Sequence, residues 1–481
     1  MKTSFTDDFV RDVSEPLRQA NESFSRFYSG ENGSRQPVHT VYGGAHLFKA
    51  DSAKRLGALG MRSLDQFAPN FVAFAKAVGL PGSGALPESQ GAIDNLSNIA
   101  ASNPEQLRRD YKHAWLAHII YTRVQDKLHR EAVEDFRIDF EDGYGNRPDA
   151  EEDGHAVAAA QEVAEGMRNA TLPPFIGIRI KPFNEEMRLR SFRTLDLFVS
   201  TLVELTNKRL PANFVVTLPK ITVPEQVKTL ATLLSGLEET TGLAPASLRF
   251  EMMIETTQSI INHRGEINLP LLLSESNGRC AGAHFGTYDY TAGCNITAAH
   301  QHMMHPACDF AKNMMQVAFA GTGVWLSDGA TNIMPVAPHR FVEGGPQLTE
   351  QQIEENRSVV HRAWKLHYDH IQHSLTTGFY QGWDLHPAQL PTRYAAVYAF
   401  FLESLEAASD RLKNFVDKAA KATLVGDVFD DAATGQGLLN YFLRAINCGA
   451  LTEDEGLRLS GLSLDELRSG SFLKILKNRQ R

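Results

Sequence analysis

Short apolar runs alternate along this chain with longer stretches in which apolar residues recur every three to four positions. Eight runs read as strands, at 38–44, 135–142, 175–183, 213–221, 248–255, 279–289, 323–328 and 378–386. Helical patterns separate or follow them, at 156–170, 189–210, 224–241, 306–320 and 394–421. Apolar strands separated by helices signal βαβ units and a parallel sheet covered on both faces. Eight such units close into a (β/α)8 barrel, while an open doubly wound sheet shares the same local alternation. The pattern predicts an α/β chain built on a (β/α)8 TIM barrel, with a helical insertion after strand one and a helical C-terminal extension. The expected divisions are an N-terminal helical segment at 1–37, the barrel at 38–390 with its insertion at 45–134, and the extension at 391–481.

Composition narrows the function classes. The 481 residues carry 48 basic and 57 acidic side chains, a formal charge of −9, with 43% hydrophobic and 22% charged residues. That is a globular composition, and its acidic balance argues against nucleic acid, which is met by basic patches. Four cysteines without a CxxC pair indicate neither a disulfide scaffold nor a structural zinc site. The polar, soon acidic N-terminus is unlike a signal peptide, and no apolar run approaches the ~20 residues that span a bilayer. A cytoplasmic location is the expectation.

Catalytic groups of a barrel sit at the C-terminal ends of its strands. Those ends read Asp139-Phe140-Glu141-Asp142-Gly143, Arg179-Ile180-Lys181, Leu218-Pro219-Lys220, Glu255-Thr256, Gly286-Thr287-Tyr288-Asp289, Ser327-Asp328-Gly329 and Leu385-His386-Pro387. Charge at nearly every strand end is costly unless it pairs or holds an ion. Glu255 and Asp289 lie one helix-plus-strand unit apart, so they sit side by side at the barrel mouth; two carboxylates with few nitrogen or sulfur partners suit Mg2+ or Mn2+. A plain ion pair of Glu255 with Arg179 or Lys220 is the alternative. Arg179 suits a substrate carboxylate or developing enolate oxygen, or else pairs with Glu141 or Asp142. Lys220 offers a rival chemistry, Schiff-base formation, if burial depresses its pKa. The spacing of His300, His302 and His305 favours loop or helix-start structure over zinc. Asp149 to Asp153 reads as a solvated loop or helix start, and Asp430 and Asp431 as a helix-capping loop. Arg179, Lys181 and Lys220, with a bound cation, predict an electropositive mouth.

Taken in order, these strand ends resemble the citrate lyase β-subunit-like and HpcH aldolase (CitE/HpcH) superfamily, with its relatives malyl-CoA lyase and malate synthase. The matching segments are Asp139–Gly143, Ile178-Arg179-Ile180, Leu218-Pro219-Lys220, Ile254-Glu255-Thr256, Gly286–Asp289, Asp328-Gly329 and Leu385–Gln389. The resemblance implies a TIM barrel that binds Mg2+ (or Mn2+) through Glu255 and Asp289. Arg179, Glu141 and Asp142 are the implied catalytic residues, and Arg179, Lys220, Gly286 and Thr287 the implied substrate contacts. The implied reaction is cleavage or formation of a C–C bond through a metal-stabilised enolate of a small 2-oxo acid or hydroxyacyl-CoA. The expected partners are that small molecule and further copies of the chain, with neither nucleic acid nor membrane. The 45–134 insertion departs from the plain family pattern and is expected to roof or reshape the mouth; the segment Tyr144–Pro148 lacks the basic pattern of the lyases that use coenzyme A. His284-Phe285-Gly286-Thr287-Tyr288-Asp289-Tyr290 also resembles malate synthase, which makes a condensing enzyme the first alternative. A paired-carboxylate glycoside hydrolase and a non-catalytic binding barrel are the others.

Overall fold

The computed structural model describes residues 4–479 apart from 31, 342, 343, 345, 418–422, 426, 427 and 431. Eight strands, β1 (His39–Gly44), β2 (Asp135–Asp139), β3 (Phe175–Arg179), β4 (Phe214–Leu218), β5 (Arg249–Ile254), β6 (Cys280–Phe285), β7 (Trp325–Ala330) and β8 (Gln381–Asp384), form a closed parallel barrel. Closure is made by β8 against β1, with His39 opposite Gly382. The open doubly wound sheet is thereby excluded.

The βα units follow from local sequence. β4 is the run Phe214-Val215-Val216-Thr217-Leu218, buried throughout, as a strand covered on both faces must be. The next helix, Pro224–Thr241, starts with proline at its first turn, where no amide donor is missed. The Gln226 side chain accepts the Thr222 amide at 2.8 Å, and the helix stops at Gly242 in the left-handed region. The acidic stretch from Asp149 to Asp153, read as a solvated loop or helix start, begins helix Asp149–Asn169, and Glu152 within it is fully buried, 3.1 Å from Lys181.

Below the mouth the barrel interior is ionic. Arg137 donates to Asp135, to Glu251 at 2.6 Å and to Thr217 at 3.0 Å, and His284 lies 2.9 Å from Glu251. Thr40 donates to Asp135 at 2.8 Å, and Gln381 donates to Thr40 at 2.9 Å. These side chains fill the centre in place of the branched aliphatic layers common in such barrels. A second polar network lies outside the strands. Asp384 contacts His39 at 2.9 Å, His367 at 3.1 Å and Arg393 at 2.8 Å. Thr331 continues it, 2.9 Å from both His367 and His370. Burial lowers the pKa of His370 to about 4.

The insertion is helical, with Ser52–Phe67, Phe71–Val78, Gln90–Ser102, Pro104–Asp110 and Lys112–Glu131. Phe71–Val78 packs on Glu350–Thr376, and Lys112–Glu131 on Leu390–Glu403, so most of the insertion thickens the outer wall. The C-terminal helices, among them Ala432–Asn447 and Phe472–Arg479, pack around Phe415, Leu439, Phe442 and Phe472. Asp430 ends a short antiparallel pair of strands, and Asp431 lies outside the described residues. The N-terminal helix, Asp7–Phe27, buries none of its residues. Among the described residues no helix is long and apolar enough to cross a membrane.

Candidate functional site

Register builds the mouth. Asp139 and Arg179 are direct neighbours in the β2–β3 ladder. The Arg179 guanidinium donates through Nε and Nη2 to the two Asp139 oxygens at 2.7 and 2.6 Å, and its Nη1 lies 3.1 Å from Glu141. It also packs on the rings of Tyr42 and Trp383, with centroids 4.7 and 5.4 Å away. A planar cation held by a bidentate carboxylate and two ring faces has one orientation available. Asp139 further accepts the amides of Glu141 at 3.0 Å and Gly143 at 2.7 Å, which folds the β2 turn around it. A side chain at Gly143 would put its Cβ 2.6 Å from the Asp139 carboxylate, so the turn requires glycine.

Lys220 follows β4 in the left-handed backbone region, at φ +51. That turn aims its amide at Glu255 Oε1, 2.7 Å away, and sends its ammonium to Glu141 and to Asp142, 3.1 Å away. Against the cost of burial, these carboxylates hold the Lys220 pKa above the ordinary lysine range. Schiff-base chemistry needs the opposite shift, so the rival reading of Lys220 loses its physical basis. The same cations act unequally on the two acids. Burial raises the Glu141 pKa, while Arg179 and Lys220, outweighing burial, lower that of Asp142.

Glu255 stands just past β5 and is 2% exposed. Burial first, then the charge of Asp289, raises its pKa to about 8. Gly286 makes room for the Glu255 side chain, since a Cβ there would fall 2.5 Å from Glu255 Oε2. The sequence pattern carried strand six on to Asp289. The strand ends at Phe285 instead, and Asp289 is an exposed residue in the first turn of helix Thr287–Gly293. Thr287 is buried, and its hydroxyl has no hydrogen-bond partner among the described residues. Two neighbouring carboxylates, one of them buried and penalised for its charge, fit a hard divalent cation. Among the described residues no three His, Cys, Asp or Glu side chains converge into a ready cage. The protein would supply two oxygens, with water and substrate completing six.

Other strand-end residues go elsewhere. Lys181 turns out of the barrel toward Glu152 and the Phe140 carbonyl. Asp328 faces Lys312 at 3.0 Å and Ser374 at 2.6 Å, behind the sheet. His386 caps the turn Pro387–Gln389, and His305 caps helix Pro306–Phe319. Tyr288 donates to the Ala330 carbonyl at 2.8 Å, and His284 belongs to the interior layer. The expected electropositive mouth is therefore corrected: Arg179 and Lys220 face Asp139, Glu141, Asp142, Glu255 and Asp289. Sequence reasoning missed Asp139 as the anchor of Arg179, and it missed Tyr42 and Trp383 altogether. The insertion reaches the rim through Ser52–Phe67, bordering with Tyr42, Gly44 and His386 a cavity of about 260 Å³.

A family model described as Domain of unknown function (DUF6986) matches residues 17–475. No curated protein sequence matches the chain. Among solved structures, a citrate lyase from Burkholderia xenovorans LB400 superposes with a TM-score of 0.50 at 17% identity, covering 71% of this chain and 92% of that one. CitE from Mycobacterium tuberculosis, in complex with magnesium, acetoacetate and coenzyme A, gives 0.39 at 14% identity, over 71% and 96%. A Haloferax volcanii malate synthase, native at 3 mM glyoxylate, gives 0.42 at 13% identity, over 92% and 98%. The fold is thus a TIM barrel, as in that citrate lyase structure.

Proposed function

The chain belongs to the DUF6986 family, and we propose that it is a divalent-metal-dependent carbon–carbon lyase or aldolase acting on a small carboxylate-bearing substrate, a 2-oxo acid or hydroxyacyl-CoA. One observation carries this reading: a buried Glu255, whose pKa is raised by burial and by the charge of Asp289, stands at a barrel mouth that also holds a buried, fixed Arg179. The motif resemblance and the citrate lyase fold point the same way.

In this reading Glu255 and Asp289 hold Mg2+, with Mn2+ as the alternative. A bound ion of this kind supplies Lewis acidity toward a substrate carbonyl. Arg179, immobilised by Asp139, offers Nη1 to a substrate oxygen on which negative charge develops. The Lys220 ammonium and the Thr287 hydroxyl fix the rest of the substrate beside Gly286. Glu141 and Asp142 divide acid and base roles, because their surroundings push their pKa values apart. Asp142, the more exposed and the more readily ionised, takes the proton; Glu141 returns it.

The test is a panel of 2-oxo acids, hydroxy-oxo acids and acyl-CoA esters assayed with Mg2+, then with EDTA. The expected result is C–C cleavage or condensation that stops with EDTA and is absent in Glu255→Gln. Turnover of any of these substrates that survives both treatments overturns the metal reading.

A further inference from the structure

The helix Asp7–Phe27 stands apart from the packed layers of the molecule. All of its residues are exposed, yet it is not polar all round. Val10, Val13, Leu17, Ala20, Phe24 and Phe27 recur at alternating steps of three and four, the spacing of a coiled-coil seam. Phe9 and Tyr28 flank that seam, and Phe5 stacks on Phe9 with ring centroids 5.3 Å apart. The charged side chains of the helix all lie on the opposite side, where Arg18 pairs with Glu15 at 2.6 Å and with Glu22. A helix draws most of its stability from packing its apolar face, and Pro16 withholds one of this helix's own amide hydrogen bonds. The face calls for a partner.

Area, volume and charge together select a second copy of the chain. The large apolar side chains from Phe5 to Tyr28 are between 36% and 65% exposed and leave roughly 700 Å² open, close to the ~800 Å² each partner gives to a stable interface. Laid antiparallel on its own copy, the seam pairs Val10 with Phe27, Val13 with Phe24 and Leu17 with Ala20. Every layer then sets a larger side chain against a smaller one. A parallel pair would set Ala20 on Ala20 and Phe24 on Phe24. The positions beside the seam, among them Ser14, Asn21 and Ser23, carry no charge after Asp7, so like charges do not meet across the pair. Three arginines against five carboxylates leave the helix net acidic, the wrong sign for an anionic lipid surface.

We propose that this helix is a dimerisation element, pairing antiparallel with the same helix of a second copy. Each helix is rooted at its C-terminal end, where the Gly30 amide donates to the Gly321 carbonyl at 2.8 Å. A helix of 21 residues is about 31 Å long, so the two barrels sit at opposite ends of the pair and do not collide. The proposal stands independently of the reaction assigned to the mouth.

Sedimentation velocity and light scattering on the full chain test it. At micromolar concentration the wild type is expected to be a dimer or a higher even multiple, and Leu17→Asp to halve its mass. Gln19→Asp, on the charged side, is expected to leave the mass unchanged. Leu17 is exposed, so its variant does not threaten the barrel. Direction is read by mild oxidation, with the wild type as control for its own Cys294. A mixture of Val10→Cys and Phe27→Cys chains is expected to cross-link, while Val10→Cys alone, its two thiols ~25 Å apart across the pair, does not. A mass that ignores Leu17→Asp overturns the proposal, as does Val10→Cys linking to itself as readily as to Phe27→Cys. So does a wild type that stays monomeric, whether free in solution or co-sedimenting with phosphatidylglycerol vesicles.

Discussion

Two layers of the same barrel, one above the other, handle buried charge in opposite ways. In the middle layer Arg137 and His284 meet Asp135 and Glu251, with Thr40, Thr217 and Gln381 taking up other polar atoms. Burial opposes it, yet Arg137 and His284 hold the Glu251 pKa below the ordinary glutamate range. At the mouth two cations face five carboxylates, and the Glu255 pKa is pushed up to about 8. Matched buried charge specifies a packing; unmatched buried charge costs stability and is kept where chemistry needs it.

The comparison breaks first at its unmatched end. Glu255→Gln and Asp289→Asn are expected to lower kcat on the order of 10⁴-fold, about 5.4 kcal/mol, with circular dichroism unchanged. In the metal-free protein Glu255→Gln also raises the Tm above pH 8. A folded-state pKa of about 8 exceeds the ~4.3 of an unfolded glutamate, so the folded state holds its proton over that window and loses stability as pH rises through it. Near-normal turnover in either variant removes the distinction between the layers.

The matched layer breaks differently. Glu251→Ala leaves Arg137 and His284 without their shared partner and is expected to cost about 3–5 kcal/mol in urea unfolding. The kcat of the folded fraction stays near that of the wild type; a selective loss of kcat would move the chemistry down a layer. Next comes the histidine network behind the strands. Burial lowers the His370 pKa to about 4, so the unfolded chain binds the extra proton between pH ~6.5 and 4. Stability is expected to fall by roughly 3 kcal/mol as pH drops through that window, read from urea midpoints, and His370→Gln flattens the slope. Smallest is Lys220→Gly. Glycine relieves the left-handed backbone as the ammonium contacts are lost, so net stability changes by less than ~1 kcal/mol while KM rises.

All eight barrel strands were legible in the sequence from their alternation with helical stretches, most plainly the apolar run Phe214–Leu218. Most of their C-terminal ends were read too long. Phe140–Asp142 and Gly286–Asp289 keep the polar–apolar pattern of a strand but leave the ladder to build the mouth. The same overrun misplaced Lys181: strand parity puts it beside Arg179, but β3 ends at Arg179 and the next turn rotates Lys181 outward. Arg137 and Glu251 were illegible as partners because 114 positions separate them and only closure of the barrel brings them together. Asp139 was on view in its motif. Its hold on Arg179 needs the β2–β3 register, which follows once both strand starts are known.

The ring packed on Arg179 gives the mouth an optical property. Trp383 is one of four tryptophans, and its indole lies 5.4 Å from the guanidinium, with an N–H that has no hydrogen-bond partner among the described residues. Indole emission responds to the field across the ring, so an anion arriving at Arg179 changes the light that Trp383 gives off. Occupancy of the mouth can thus be followed by intrinsic fluorescence, with no label and no turnover, even for compounds that bind but do not react.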